Sequence, residues 1–182
     1  MPNWNSNTLE VEGLAEEIER FKEKAKDGDQ LISLQKLYPM PDELNIDCMT
    51  VSGDDKDEGS KKLWEAQQSN LKKYGHKDWY SWRIQHWGVK WDLGEVYVCS
   101  EEAPRTVYQF DTAWSPPTAA FNRISKDFPK LRFTLDYQEG DMGFEGRYIC
   151  QNGRVIMDDC HDYVPEYDEE PDDNINGSEK DD

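Results

Sequence analysis

Alternation of apolar and polar residues marks the clearest element of the chain. Residues 131–137, Leu-Arg-Phe-Thr-Leu-Asp-Tyr, put four apolar side chains on one side and three polar ones on the other. That is the period-two pattern of a half-buried strand. Residues 8–12 alternate in the same way, and Gly13 ends them. Residues 95–99 are rich in strand formers. Residues 106–114 alternate with Tyr108, Phe110 and Trp114 on one face and Gln109 and Asp111 on the other. Near the C-terminus, residues 146–151 and 154–158 flank Asn152-Gly153. An Asn-Gly pair between strand-like runs is a strong hairpin signal, because the turn needs positive φ at both central positions.

Helical periodicity separates these strands. Leu14, Ile18, Phe21 and Ala25 share one face of a helix that Gly28 stops. Its acidic first turn complements the helix dipole, and Glu16 stands four residues before Arg20, a favourable pairing. Ser115-Pro116-Pro117 opens a second helix, with Ala120, Phe121, Ile124 and Phe128 inward and Pro129 at its end. Between these parts lies a helical insertion, about residues 29–90. Asp29 is placed to cap a short helix over 31–37. Ser60 is placed to cap a longer one with Leu63, Trp64, Gln67, Leu71 and Tyr74 on a stripe. Asp78 is placed to cap a third over 79–87.

Without insertion and hairpin the order is βαββαβ, the ferredoxin-like split βαβ unit. The expected fold is α+β: an antiparallel sheet with both helices on one face, a helical insertion after the first helix, a C-terminal β-hairpin and an acidic tail. Residues 1–162 form one domain in this reading, and residues 163–182 form the tail. The far face of the sheet is either open or covered by the insertion helices.

Charge narrows the function. The 182 residues contain 21 Lys and Arg against 39 Asp and Glu, a net charge of −18. Direct binding to nucleic acid or to an anionic membrane relies on clustered cations and is disfavoured. Residues 158–182 hold 12 acidic residues and one Lys. No apolar run approaches a membrane span, and the N-terminus lacks the basic and apolar parts of a signal peptide, so a soluble protein of the host cytoplasm is expected. Cys48, Cys99, Cys150 and Cys160 include no paired ligand spacing, so reduced thiols are expected and no metal or cofactor.

The chemistry-bearing residues are aromatic and acidic. Trp79, Trp82, Trp87 and Trp91 crowd into thirteen residues. They read either as an aromatic mini-core or, through Trp82 and Trp87, as a protein-binding anchor. Two acidic stretches are candidate partner surfaces: Asp54, Asp55, Asp57 and Glu58 in a loop, and Asp168, Glu169, Glu170, Asp172 and Asp173 in the tail. An alternative is a small-ligand protein or enzyme that pairs His86 with Asp92 or Asp78 in a pocket between sheet and insertion. A further alternative is a nucleic-acid-binding module of the RRM type, with aromatics on its sheet face.

Three stretches carry a family resemblance: Met1-Pro2-Asn3-Trp4 with Asn7, then Trp87-Gly88-Val89-Lys90-Trp91-Asp92, then Thr112-Ala113-Trp114-Ser115-Pro116-Pro117. Residues 137–146, with Gly140, Gly143 and Phe144, add to it. Together they resemble the YubB-like ferredoxin-fold family of phages, prophages and conjugative plasmids. The resemblance implies a ferredoxin-like core and carries over no catalytic residue; "ferredoxin-like" here names a topology, not an iron–sulfur protein. Combined with the charge, it leads to the expectation of a non-enzymatic interaction protein. Such a protein binds and inhibits a basic host protein, for example a nuclease or CRISPR-type effector, by imitating the charge of DNA. The oligomeric state is left open.

Overall fold

The structure, a computed structural model, describes residues 3–163. Strand β1 (Trp4–Glu12) leads into helix α1 (Ala15–Ala25). The insertion comes next, with α2 (Leu34–Leu37), a 3-10 turn (Asp42–Leu44), α3 (Glu58–Tyr74) and α4 (Trp79–His86). The core resumes with β2 (Tyr97–Glu102), β3 (Arg105–Ala113), α5 (Thr118–Asp127) and β4 (Arg132–Glu139), and ends in the hairpin β5 (Phe144–Gln151) and β6 (Arg154–Asp162). The sheet order is β2-β3-β1-β4-β5-β6, with every neighbour antiparallel. The first four strands have the ferredoxin-like arrangement that the sequence predicts, and the hairpin extends it beyond β4.

The two faces of the sheet are chemically distinct. Leu9 and Val11 of β1, Tyr108 and Phe110 of β3, and Phe133 and Leu135 of β4 point to the helices and are buried. Phe21 of α1 sits edge-on to Phe128 and Phe133 at 5.4 and 5.5 Å, and Phe121 of α5 packs between Phe110 and Phe133. The alternate residues, among them Ser6, Thr8 and Glu10, face the other way and stay accessible. The insertion adds to the helical layer: α2 packs on α1 and α4 on α5. Among the described residues, therefore, nothing covers the sheet's second face.

Several local expectations change. Strand β1 begins at Trp4, because Asn5 and Asn7 continue its buried face even though they are polar. Helix α1 ends at Ala25, and Leu14 lies outside its buried stripe. Arg20 pairs with Glu17 at 2.8 Å rather than with Glu16. The cap of α2 is Ser33, not Asp29, and the cap of α3 is Asp57, whose carboxylate accepts from Ser60 N–H at 2.8 Å. Asp78 caps α4 as expected. Helix α5 starts after Pro117 with no side-chain cap, since the Ser115 hydroxyl donates to Gly88 O at 2.7 Å instead. Of the predicted α3 stripe, Gln67 is buried, Leu63, Trp64 and Tyr74 are half-buried and Leu71 is exposed, while Asn70 beside it is also buried. The amide nitrogens of Gln67 and Asn70 donate to Asp47 O, Met49 O and Glu43 O before the helix and to Lys77 O after it, which ties α3 to both flanking segments.

Asp92 fastens the insertion. Its carboxylate accepts from Ser33 Oγ (2.8 Å), Leu34 N (2.7 Å), Gln35 N (3.2 Å) and Leu93 N (2.8 Å). It caps a four-residue helix that has little stability of its own. Charged hydrogen bonds of this kind contribute about 1.5–3 kcal/mol each at most and are not additive. Asp92→Ala is therefore expected to lower unfolding free energy by about 3 kcal/mol in urea titration. A loss below about 0.5 kcal/mol would show that the cap is not structural.

Candidate functional site: a tryptophan corner

The three stretches singled out in the sequence converge at the end of the sheet where β1 starts and β3 ends. Trp4 lies opposite Ala113 in the β1–β3 register, and Trp114 N–H donates to Asn3 O at 3.0 Å. Ala120 N–H donates to Trp87 O at 3.3 Å, which joins the Trp87–Asp92 segment to α5. The outcome is a surface cluster of three indoles. Trp4 and Trp91 are 6.2 Å apart between ring centroids, and Lys90 Nζ stands 4.5 Å over Trp91 and 4.9 Å over Trp114. Trp91, Trp114 and Trp4 are 38%, 41% and 49% exposed.

A polar relay holds Trp114 in place. Asn7 Nδ2 donates to Asn5 O, Phe110 O and Thr112 Oγ1 at 2.9, 3.3 and 2.9 Å. Thr112 Oγ1 donates onward to Ser115 O at 2.7 Å. Ser115 N–H donates to Ala113 O at 3.0 Å, which closes a three-residue turn with Trp114 at φ 71°. A bulky residue at positive φ is strained by about 1–3 kcal/mol and persists only where its surroundings impose it. In this conformation the indole is part exposed and lies beside Lys90. Below the corner, Asn5 is wholly buried with neither side-chain polar atom paired.

The other tryptophans of the 79–91 cluster are more enclosed. Trp82 is 5% exposed and Trp87 is 0%, so neither can be the partner anchor expected of it. Trp87 Nε1–H donates to Tyr38 O at 2.9 Å, and the Arg83 guanidinium lies 4.8 Å over its ring. Trp82 stacks on His86 at 4.4 Å. They are the aromatic mini-core that the sequence left as one of two readings. The signal that separates the two sets is their position at strand ends and turns, which becomes visible only once the register is known.

The proposed His86 dyad does not form. Asp92 spends its oxygens on α2 and Asp78 caps α4, while His86 Nδ1 meets the Tyr38 hydroxyl at 2.6 Å. Burial, with a smaller contribution from His76, holds the His86 pKa below its usual 6.5. Burial raises that of Tyr38, so the phenol donates to a neutral imidazole. On the open sheet face, β1 and β3 present Ser6, Thr8 and Glu10 beside Val107, Gln109 and Asp111. The middle of β1 and β3 has no aromatic on that face; the exposed aromatics there are Trp4 at the start of β1 and Tyr97 on β2. A shallow groove of about 580 Å³ on that face lies between Thr8, Asp136, Glu145, Arg147 and Asp159. Arg147 and Asp136 form a two-pronged ion pair at its floor, at 2.5 and 2.9 Å.

Of the predicted acidic residues, Asp54 is exposed, Asp55 accepts from Ser52 N–H at 2.8 Å, Asp57 caps α3 and Glu58 pairs with Lys62 at 2.7 Å. Local bonds already engage three of these four carboxylates. Asp168, Glu169, Glu170, Asp172 and Asp173 lie outside the described residues. Among the described residues no group of three or more His, Cys, Asp or Glu converges as a metal site, and no helix is long and apolar enough to cross a membrane.

A split βαβ sheet with one helical layer and an outward aromatic corner defines a ferredoxin-like α+β domain. Comparison with known proteins agrees. Residues 90–177 match the family described as a ferredoxin-like domain in Api92-like protein. The match begins at Lys90 and so takes in Trp91 and Trp114 but not Trp4. The crystal structure of the protein api92 from Yersinia pseudotuberculosis is similar, with a TM-score of 0.56 at 11% identity, covering 91% of this chain and 99% of that one. At that identity the likeness shows a shared fold. No curated protein matches the sequence.

This geometry makes two outcomes measurable. The unfolded imidazole of His86 titrates near 6.5 and the folded one lower, so between those values the unfolded state binds more protons. Stability is expected to fall as pH falls through that interval, and to fall less in His86→Asn, whose amide oxygen can still accept from Tyr38. Chemical denaturation at about pH 7.5 and about pH 5 checks this, with His76 present in both proteins; equal losses would remove His86 from the effect. Trp114→Gly relieves the positive-φ strain as it removes an exposed ring. Its unfolding free energy is expected to stay within about 1 kcal/mol of the parent, whereas a loss of several kcal/mol would make Trp114 a core residue.

Proposed function

We propose that this chain is a non-enzymatic, acidic interaction protein of mobile-element origin that binds and inhibits a basic host protein. Its targets are of the nucleic-acid-binding kind, such as a nuclease or CRISPR-type effector. The observation that carries this reading is the tryptophan corner. Three large apolar rings stand in solvent at one place, one of them on strained backbone, where a monomer gains nothing from displaying them. Trp is also among the residues most enriched at binding hot spots.

Charge supports the choice of partner. Residues 1–163 alone hold 30 Asp and Glu against 20 Lys and Arg, a net of −10 before the tail is counted. Such a field attracts cationic surfaces, raises encounter rates and is screened by salt. The anchor residues are then Trp4, Trp91 and Trp114, with Lys90 bridging Trp91 and Trp114. The chain's net negative charge steers the encounter rather than specifying it. The His86–Tyr38 pairing, in which no carboxylate takes part, favours binding over turnover.

The test is a binding measurement against purified basic nucleic-acid-binding host proteins at low and high salt, with duplex DNA as competitor. Binding is expected to weaken with salt and to be displaced by the duplex. The Trp4→Ala, Trp91→Ala, Trp114→Ala triple variant is expected to lose about tenfold or more in affinity while keeping its fold. Salt-indifferent binding, or full affinity in the triple variant, would overturn the reading.

A further inference from the structure

Strand β6 ends the sheet, paired on one side to β5 and on the other to nothing among the described residues. All nine of its residues are exposed. Helix α5 packs on β4 and β5, so among the described residues nothing covers β6 on either face or along its free edge. Edges of this kind accept a further strand through their unpaired N–H and C=O groups.

The side chains along this edge are graded. The register shifts between Ile149 and Cys150, leaving Ile156 as the extra residue of a bulge. Val155, Ile156 and Met157 stand 44–55% exposed in succession. Asp158, Asp159 and Asp162 lie just beyond, and among the described residues none of the three makes an ion pair. The opposite edge, β2, differs: Glu101 is paired with Lys22 at 2.9 Å and Glu102 lies across from Arg105. Beside its own exposed Tyr97 and Val98, β2 thus carries two carboxylates of which Glu101 is paired, against three on β6 that are unpaired among the described residues.

We propose that the free edge of β6 docks an extended, cationic segment of a partner protein as a seventh strand. In antiparallel register the segment brings cations opposite Asp162, Asp159 and Asp158, then apolar residues opposite Met157, Ile156 and Val155. Charge selects this occupant. A second copy added antiparallel about Asp158 would match each Arg154 with Asp162 but would set Asp158 against its own mate and leave both Asp159 across from Met157, without a cation. Residues 164–182, with nine Asp and Glu and one Lys, would set acid against acid. This docking edge is separate from the tryptophan corner and shares with it only the cationic partner.

The probe is a capped synthetic peptide, Lys-Thr-Thr-Arg-Arg-Val-Val-Val-Glu, titrated into the full chain and followed by amide NMR at low salt. Shifts are expected along β6, with slowed exchange of its edge amides. Asp158→Lys with Asp159→Lys, and separately Met157→Glu, are expected to weaken binding tenfold or more. Asp54→Lys with Asp55→Lys and the triple tryptophan variant are expected to leave it unchanged, so this proposal and the corner reading fail separately. Shifts that avoid β6, indifference to the β6 variants, binding that appears only after residues 164–182 are deleted, or sedimentation as a β6-dependent dimer would each overturn it.

Discussion

The burial of Trp87 is the contact on which the rest of the molecule depends. Its ring is fully enclosed, its indole N–H is satisfied by Tyr38 O, and its carbonyl accepts from Ala120 at the start of α5. One residue thereby joins the insertion, the helical layer and the last loop before the sheet resumes. An indole buried with its N–H paired contributes on the order of 2–3 kcal/mol. The next five residues of the chain inherit a fixed position from it. Gly88 O is held by Ser115, Lys90 and Trp91 emerge at the surface, and Asp92 turns back to cap α2. The interior and the exposed tryptophans are thus two ends of one short strap.

That coupling explains how a ferredoxin-like sheet can display apolar rings without losing its order. The corner is not a frayed end. Trp114 sits in a turn closed by Ser115, backed by the Asn7–Thr112 relay and faced by Lys90. A cation over two exposed rings contributes about 0.5–1 kcal/mol per contact and limits how they can collapse together. Rigid aromatic surface that is already ordered loses little entropy when a partner covers it.

Much of the fold was legible because alternation and helical periodicity are local. The even spacing of Phe133, Leu135 and Tyr137 identified β4, and Asn152-Gly153 identified the hairpin, with φ of 51° and 71° as the turn requires. Features set by tertiary packing were not. Trp82 and Trp87 have the same composition and neighbourhood as Trp91, yet of these three only Trp91 is exposed, because a strap between buried anchors and strand ends decides it. The stripe predicted for helix α3 held Leu71, which is exposed, and Gln67, which is buried; the helix is held by the amides of Gln67 and Asn70, whose bonds hydrophobic patterning cannot weigh. Asp92 looked like a partner for His86, and its real work as a cap depends on Ser33, fifty-nine residues away.

The electronegative body, the aromatic corner and the graded β6 edge all suit recognition of a cationic protein surface. Among them the corner makes the sharpest structural commitment. Hydrogen exchange of the chain, alone and bound to a basic nucleic-acid-binding protein, tests it most directly. New protection is expected in the segments that carry Trp4, Lys90-Trp91 and Trp114. Protection confined to α3 and its preceding loop, with those three segments unchanged, would contradict the assignment of the corner as the binding surface.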